Sequence, residues 1–393
     1  MERILVVGAS LLQLPAILKA KALGYYVGVV DINPEAVGVP YADAFFNIST
    51  NDEEGITAVA EQFGASGVMT IATDRPMRSV AKATKHCGLP GISVETAIRA
   101  TDKYEMIKAF EKNNVPHPAF FYIPHREELQ RIKKDIPFPC IIKPVDNAGS
   151  RGVVFTNRPE DLEKNYEYAA TNSPSGRVII EEYLEGPEVS VEILVIKGEP
   201  HVIQVTDKVV CEKPFFVEIG HSQPSRLDES VVEAIKTLAI DAVKAIGIDT
   251  GPAHVEMIIT SSGPKMVELG ARLGGDCITS HLVPLSTGVD MVKATIELAC
   301  GKEPDISQSI SMGSAVRFIC ADSGQIKSIQ HIEDAMAIES VVEITLTKRP
   351  GDYVNGIENS NDRIGFVISQ GSDADSAIMN CEKAISRISV ITE

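Results

Sequence analysis

The stretch Ala253–Asp276, AHVEMIITSSGPKMVELGARLGGD, decides how this chain is read. Two strand-like runs, Ala253–Thr260 and Lys265–Leu269, flank a Ser-Ser-Gly-Pro turn, and a glycine-broken loop follows. Each run carries one carboxylate, Glu256 and Glu268, and Arg272 lies just beyond. Side chains alternate faces along a strand, so the two glutamates share a face only if the connecting loop holds an odd number of residues. A loop of three or five fits the sequence. Converged, the pair offers hard oxygen ligands for one or two Mg²⁺ ions, which ordinarily arrive with phosphate groups. Arg272 would then present a planar fork of donors to the same phosphates. Unconverged, these residues are a surface hairpin with two solvated glutamates.

Upstream of the hairpin, Leu227–Ile246 reads as a long amphipathic helix. Before it, Gln204–Cys211 and Phe215–Glu218 read as strands, and His221 falls in a Gly-His-Ser-Gln-Pro loop, where a lone histidine is ordinarily solvated. Arg177–Ile180 is a strand running into Glu181-Glu-Tyr-Leu-Glu-Gly186, and the strand resumes as Val189–Lys197. Such a polar connector either binds an adenine edge and a ribose or is a plain acidic loop. Pro139–Lys143 (PCIIK) is a strand followed by the loop Pro144–Val153, PVDNAGSRGV, and a return strand Val153–Thr156. That loop can turn successive backbone N–H groups towards an anion, with the Ser150 hydroxyl adding a donor. It is not a Walker loop: no Gly-Lys-[Ser/Thr] follows, and the next element is a strand. Lys143, ending an apolar run, must reach water or meet an anion. Thr101-Asp102-Lys103 opens a helix that runs to about Asn113.

At the N-terminus, Arg3–Val7, a Gly8-Ala9-Ser10 turn, a helix over Leu11–Leu23 and the strand Tyr26–Val30 ending at Asp31 outline a Rossmann-type unit. Its turn has one glycine where the dinucleotide fingerprint needs three, so a parallel-sheet unit with a structural turn is the better reading. Further βα units carry this first domain to about residue 97. Beyond about residue 305, Gly313–Cys320, Val341–Leu346, Ile364–Gln370 and Ile388–Thr392 read as strands and Ala374–Ile385 as a helix. The fold class is therefore α/β and α+β multidomain: residues 1–97 Rossmann-like, 98–305 a central domain, and 306–393 a small α+β domain.

With 393 residues, two or three domains are expected. A formal net charge of −17 argues against nucleic acid or an anionic membrane as partner. Seven scattered cysteines without a CxxC pair suit a reducing compartment rather than a disulfide framework or zinc ribbon. No signal-peptide pattern and no membrane-length apolar run occur, so a cytoplasmic location is expected.

Taken in order, Lys103, the IIKP strand with its NAGSRGV loop, EEYLEG with Glu188, and the VEM…VELGARLGGD hairpin resemble the ATP-grasp superfamily of carboxylate-activating ligases. FVEIGHSQPS followed by VELGARLGGD is most similar to the L-amino acid ligase branch. The resemblance implies a pre-ATP-grasp domain, an ATP-grasp domain whose residues 140–200 hold the mobile lid, and a C-terminal domain. It places Lys103 and Lys143 at the ATP phosphates and Ser150, Arg151 and Gly152 in the lid. Glu182 and Leu184 would meet the adenine edge and Glu188 the ribose. Glu256 and Glu268 would hold Mg²⁺ or Mn²⁺, Arg272 would stabilise the transferred phosphoryl group, and His221 would lie near the reacting carboxyl. Two departures stand out: Gly270 replaces an asparagine common in relatives, and Arg151 fills a lid position that is often small.

The implied reaction joins small-molecule carboxylate and amine substrates through an acyl phosphate, releasing ADP and phosphate. Rivals are an ATP-grasp enzyme that activates bicarbonate or formate, a nicotinamide-dependent oxidoreductase on the N-terminal unit, and a non-catalytic nucleotide-binding protein. A homodimer is the prior from related folds.

Overall fold

A computed structural model describes residues 1–211, 216–357 and 359–393. Strands β1 (Arg3–Val7), β2 (Tyr26–Val30), β3 (Ala44–Phe46) and β4 (Gly67–Met69) form a parallel sheet in the order β3-β2-β1-β4. β1 and β2 are almost wholly apolar because both faces of the sheet are covered. Leu5 and Val7 pack with Ile56, Phe63 and Val80, whereas Ile4 and Val6 pack with Ile17 and with Met291 and Ile296 from far along the chain.

The Gly8 turn explains why this sheet lacks a dinucleotide fingerprint. Gly8 has φ +104°, and the Gln13 side chain lies over it and donates to the Ile71 carbonyl at 2.8 Å. The Ala9 amide donates to Asp31 Oδ2 at 2.8 Å, and the Asn33 amide to Oδ1 at 2.9 Å. The acid that would meet a ribose is folded back onto its own turn.

A small antiparallel sheet follows, built from β5 (Phe120–Ile123), β6 (Cys140–Pro144), β7 (Val154–Thr156) and β8 (Val178–Glu182) in the order β5-β8-β6-β7. It has its own core, in which Ile123, Ile142 and Ile180 pack with Leu162 and Tyr166 of the helix Leu162–Thr171.

The remaining strands are β9 (Glu188–Ile196), β10 (Glu199–Val210), β11 (Glu218–Gln223), β12 (Gly251–Thr260), β13 (Gly263–Gly270), β14 (Gly313–Ile319), β15 (Gly324–Gln330), β16 (Val341–Leu346), β17 (Tyr353–Val354), β18 (Gly365–Gly371) and β19 (Ser389–Thr392). Eight of them make one antiparallel sheet, β13-β12-β9-β10-β11-β14-β18-β16. The C-terminal strands β14, β18 and β16 thus extend the central sheet, and only β17, β15 and β19 form a separate one. β15 and β17 were not expected from their sequence, which is polar and weakly alternating. The strand expected at Phe215–Glu218 begins instead at Glu218, and Phe215 lies outside the described residues.

One face of the central sheet is apolar. Val189, Val191, Ile193, Val255 and Met257 pack against Ile235, Leu238, Ala239 and Ala242 of the helix Glu229–Ile246. Each such side chain contributes about 1.5–3 kcal/mol relative to exposure. The opposite face is polar, since β9 and β12 alternate strictly: Glu188, Ser190 and Glu192 on one, His254 and Glu256 on the other.

Two expectations need correction. The β12–β13 turn has two residues, Ser261 and Ser262, not three or five. Thr260 pairs with Gly263 and Met257 with Met266, but Glu256 pairs with Glu268, because a β-bulge at Val267 inserts one residue. The bulge supplies the parity that the loop does not, and the glutamates face each other. His221 is not in a loop either. It lies in β11, opposite Lys208 of β10, and is 1% exposed.

Candidate active site

A cleft of about 410 Å³ opens between the small sheet and the polar face of the central sheet. Lys103, Lys143, Ser150, Arg151, Glu182, Leu184, Glu188, Glu256 and Glu268 all line it. Gly152, Arg272 and His221 do not.

Each lining residue is placed by a local device. Asp102 caps the helix Lys103–Lys112, accepting from the Tyr104 and Glu105 amides at 3.1 Å, and so aims Lys103 into the cleft. Lys103 Nζ donates to Glu268 Oε1 at 2.9 Å and to the Asn147 carbonyl at 2.8 Å. Asn147 is itself tied to the Asn172 carbonyl at 2.8 Å. The loop bends through Gly149 (φ +68°), Ser150 (φ +56°) and Gly152 (φ +81°). A Cβ on Gly152 would stand 2.6 Å from Asn172 Cβ and 2.7 Å from Pro144 Cγ, so its place is to let the loop pass close to β6. The Glu182 carboxylate accepts from Lys265 Nζ at 3.1 Å and the Ala119 amide at 3.2 Å, and its own amide donates to the Ala119 carbonyl at 2.8 Å. Ile141, Val153, Leu184, Phe216 and Ile258 give this end of the cleft an apolar lining.

The charged end is dense. Lys143 and Glu181 pair at 2.7 Å, both deeply buried. Lys208 Nζ lies 3.0 Å from Glu256 Oε2, 3.7 Å from Glu218 and 3.8 Å from Glu188. His254 Nδ1 is 2.7 Å from Glu192 and Nε2 is 3.1 Å from Glu256 Oε1. Burial disfavours charge on His254, but Glu192 and Glu256 outweigh it and push its pKa up to about 9. Burial likewise works against the Glu256 carboxylate, yet Lys208 and His254 hold it well below the usual carboxylate range. Glu188 moves the other way: burial raises it, and Lys208 only partly compensates.

Arg272 sits behind Glu268, held by Asp74 of the first sheet's side through Nε at 3.0 Å and Nη2 at 2.8 Å. His221 Nε2 is 3.6 Å from Asp276 Oδ2, longer than a hydrogen bond, and neither ring nitrogen has a partner among the described residues. Asp276 is instead gripped by both arms of Arg363, at 2.7 and 2.8 Å, and Arg363 stacks 3.8 Å over Phe318.

With the geometry in hand, an ATP-grasp domain family matches residues 136–280, and the L-amino acid ligase C-terminal domain 2 matches residues 317–393. Residues 136–280 are thus similar to an ATP-grasp domain. An uncharacterized protein, y4rH, of Sinorhizobium fredii is 27% identical over 385 residues, covering 95% of this chain and 77% of that one. An alanine–anticapsin ligase of Bacillus subtilis is 27% identical over 281 residues, 65% of this chain and 59% of the ligase, so the match spans little more than half of that relative. In fold, the L-amino acid ligase from Bacillus licheniformis superposes with a TM-score of 0.87 at 23% identity, over 100% of this chain and 99% of that one. The resemblance read from the sequence therefore holds for the ATP-grasp and C-terminal domains.

The cleft suits a divalent ion that comes with phosphates. Among the described residues, no three His, Cys, Asp or Glu side chains are grouped to hold a metal by themselves. Glu256 and Glu268 offer two facing hard-oxygen donors, and an octahedral ion would complete its shell from water and substrate oxygens.

Several site groups escaped the sequence reading: Asp74, Glu181, Glu192, Lys208, His254, Asp276 and Arg363. For Glu192 and His254 a signal existed, since polar residues alternating with Val in an otherwise apolar strand mark a buried polar face. Lys208, amid VTDKVV, carried the same signal. Asp74 and Arg363 had none, because they reach the site from segments 198 and 87 residues away from their partners.

Proposed function

We propose that the protein is an ATP-dependent carbon–nitrogen ligase that joins a carboxylate to an amine, with an amino acid among its substrates and ADP and phosphate as products. The observation that carries this reading is the direct opposition of Glu256 and Glu268 in the cleft, with Lys103 and Lys208 against them. The apolar end bounded by Leu184, Ile258 and Phe216 takes the adenine, with the backbone at Glu182 meeting its edge and Glu188 the ribose. Lys143 and Lys103 approach the phosphates, and Ser150 and Arg151 cover them. Glu256 and Glu268 would hold Mg²⁺ or Mn²⁺, which would supply Lewis-acid neutralisation of the transferred phosphoryl oxygens.

A carboxylate is a poor electrophile. Phosphoryl transfer from ATP converts it into an acyl phosphate, which the amine attacks with loss of phosphate. Arg272, oriented by Asp74, faces the charge that spreads over the transferring oxygens. His221 lies near the reacting carboxyl. The small sheet with its separate core, within residues 98–305, is the lid that excludes water from the acyl phosphate. We assign the reaction to the cytoplasm, where the free cysteines and ATP coexist, and expect a homodimer, to be checked by sedimentation.

The test is a coupled assay for ADP and phosphate over amino-acid pairs, followed by product mass. An amide adduct with ADP supports the ligase reading. A carboxylated or formylated product moves the enzyme to the bicarbonate- or formate-activating relatives, and AMP with pyrophosphate removes the acyl phosphate.

A further inference from the structure

Lys208 stands against Glu256 in the reading above without a role of its own, yet among the described residues it is the cation with the most carboxylates around it. On β10 it stands directly opposite Glu188 of β9 and His221 of β11, and its side chain is 4% exposed. Three carboxylates converge on its ammonium: Glu256 at 3.0 Å, Glu218 at 3.7 Å and Glu188 at 3.8 Å. Both oxygens of Glu256 carry a cationic partner in this state, Oε2 on Lys208 and Oε1 on His254. A divalent ion shared by Glu256 and Glu268 would stand at contact range from these two cations, and like-charge repulsion favours moving one of them away.

The two partners are not equally free to yield. His254 is buried and locked on its far side by Glu192 at 2.7 Å, so it cannot leave without stranding a second buried acid. Lys208 has a flexible stem and two further acids less than an ångström beyond its present contact distance. A small swing keeps it paired.

We propose that Lys208 is an exchangeable counter-cation. It neutralises Glu256 in the metal-free cleft, competes with the divalent ion for that carboxylate, and moves onto Glu188 and Glu218 when the ion enters. The proposal rests on Glu256 being a metal ligand. It makes Lys208 a positioning residue, which keeps these three acids from repelling one another until nucleotide and metal arrive together.

The test uses the full chain without nucleotide, titrated with Mn²⁺ by calorimetry and by the loss of the free-ion paramagnetic signal. Lys208→Met and Lys208→Gln are expected to bind Mn²⁺ about tenfold more tightly than the unaltered protein, since a competing unit charge is gone. Their melting temperature in chelator should fall and recover on adding Mn²⁺, while Lys208→Arg should match the unaltered protein in both respects. A neutral variant that folds only with Mn²⁺ supports the same conclusion, and one that misfolds with or without it overturns the proposal. Unchanged or weaker Mn²⁺ binding in Lys208→Met also overturns it, leaving the ligase reading intact. If the unaltered protein and Glu256→Gln bind Mn²⁺ alike, the assignment of Glu256 as metal ligand fails, and this inference with it.

Discussion

The Gly8 turn and the β12–β13 hairpin contain similar ingredients: a strand end, a glycine and an acid one strand away. In the first, Asp31 accepts two backbone amides and Gln13 fills the space over the glycine. In the second, the acids are met by side chains, Lys103 on Glu268 and Lys208 together with His254 on Glu256. Backbone amides cannot move out of the way, whereas lysines can. Polar groups satisfied by the backbone make a joint, and polar groups satisfied by movable charges make a site.

The contrast is broken most sharply at Arg272. Arg272→Ala should lower kcat by roughly 10³–10⁵, the range for losing a guanidinium on a transferring phosphoryl group. Because Asp74 would then be buried alone, its melting temperature should also fall. Adding Asp74→Asn should restore the melting temperature without restoring turnover. Glu268→Gln should likewise lose orders of magnitude in turnover while keeping the fold, and near-normal turnover in either purified variant would remove the catalytic assignment.

Lys143 tests the cleft as a stack of paired charges. With Glu181 at 2.7 Å and both side chains about 6% exposed, Lys143→Met leaves one buried carboxylate unpaired. The expected cost is about 3–5 kcal/mol in urea unfolding. The double variant with Glu181→Leu should recover most of that, while the affinity for ATP stays lost. Recovery of both would make the pair merely structural.

His254 supplies a pH signature. Its pKa rises on folding from near 6.5 to about 9: burial and the Arg272 charge oppose the rise, and Glu192 at Nδ1 and Glu256 at Nε2 outweigh them. A raised folded-state pKa means that the folded protein binds the proton more tightly than the unfolded one. This stability is fully present below about pH 6.5 and is lost as pH rises through about 9, on the order of 2–3 kcal/mol. In chelator, the unfolding free energy should decline across that window, and His254→Gln should flatten the slope. A slope unchanged in the variant would show that another group carries it.

The sequence made the fold class and most of the cleft legible for a physical reason: the carriers are short-range. Lys103 follows its own cap, the 144–153 loop its own glycines, and Glu256 and Glu268 flank one turn. What stayed hidden depended on packing. The bulge at Val267 has no glycine or proline to announce it, so the route to convergence was misread although convergence itself occurs. His221 was read as a loop residue because glycine, serine and proline surround it, yet its strand is held on both sides by β10 and β14. Arg363 carries no signal in the sequence because it meets Asp276 only when β18 lies beside β14.

The smallest effect returns to the N-terminal joint and is the control for all the others. Asp31→Ala removes two acceptors from the Ala9 and Asn33 amides, one of them partly buried. Lost hydrogen bonds of this kind cost about 1–2 kcal/mol in total. If the turn is only a joint, that loss is seen in denaturant while kcat and the Michaelis constant for ATP stay unchanged. A rise in that constant without a change in stability would mean that Asp31 reaches nucleotide after all. The N-terminal sheet and the hairpin would then differ in degree rather than in kind.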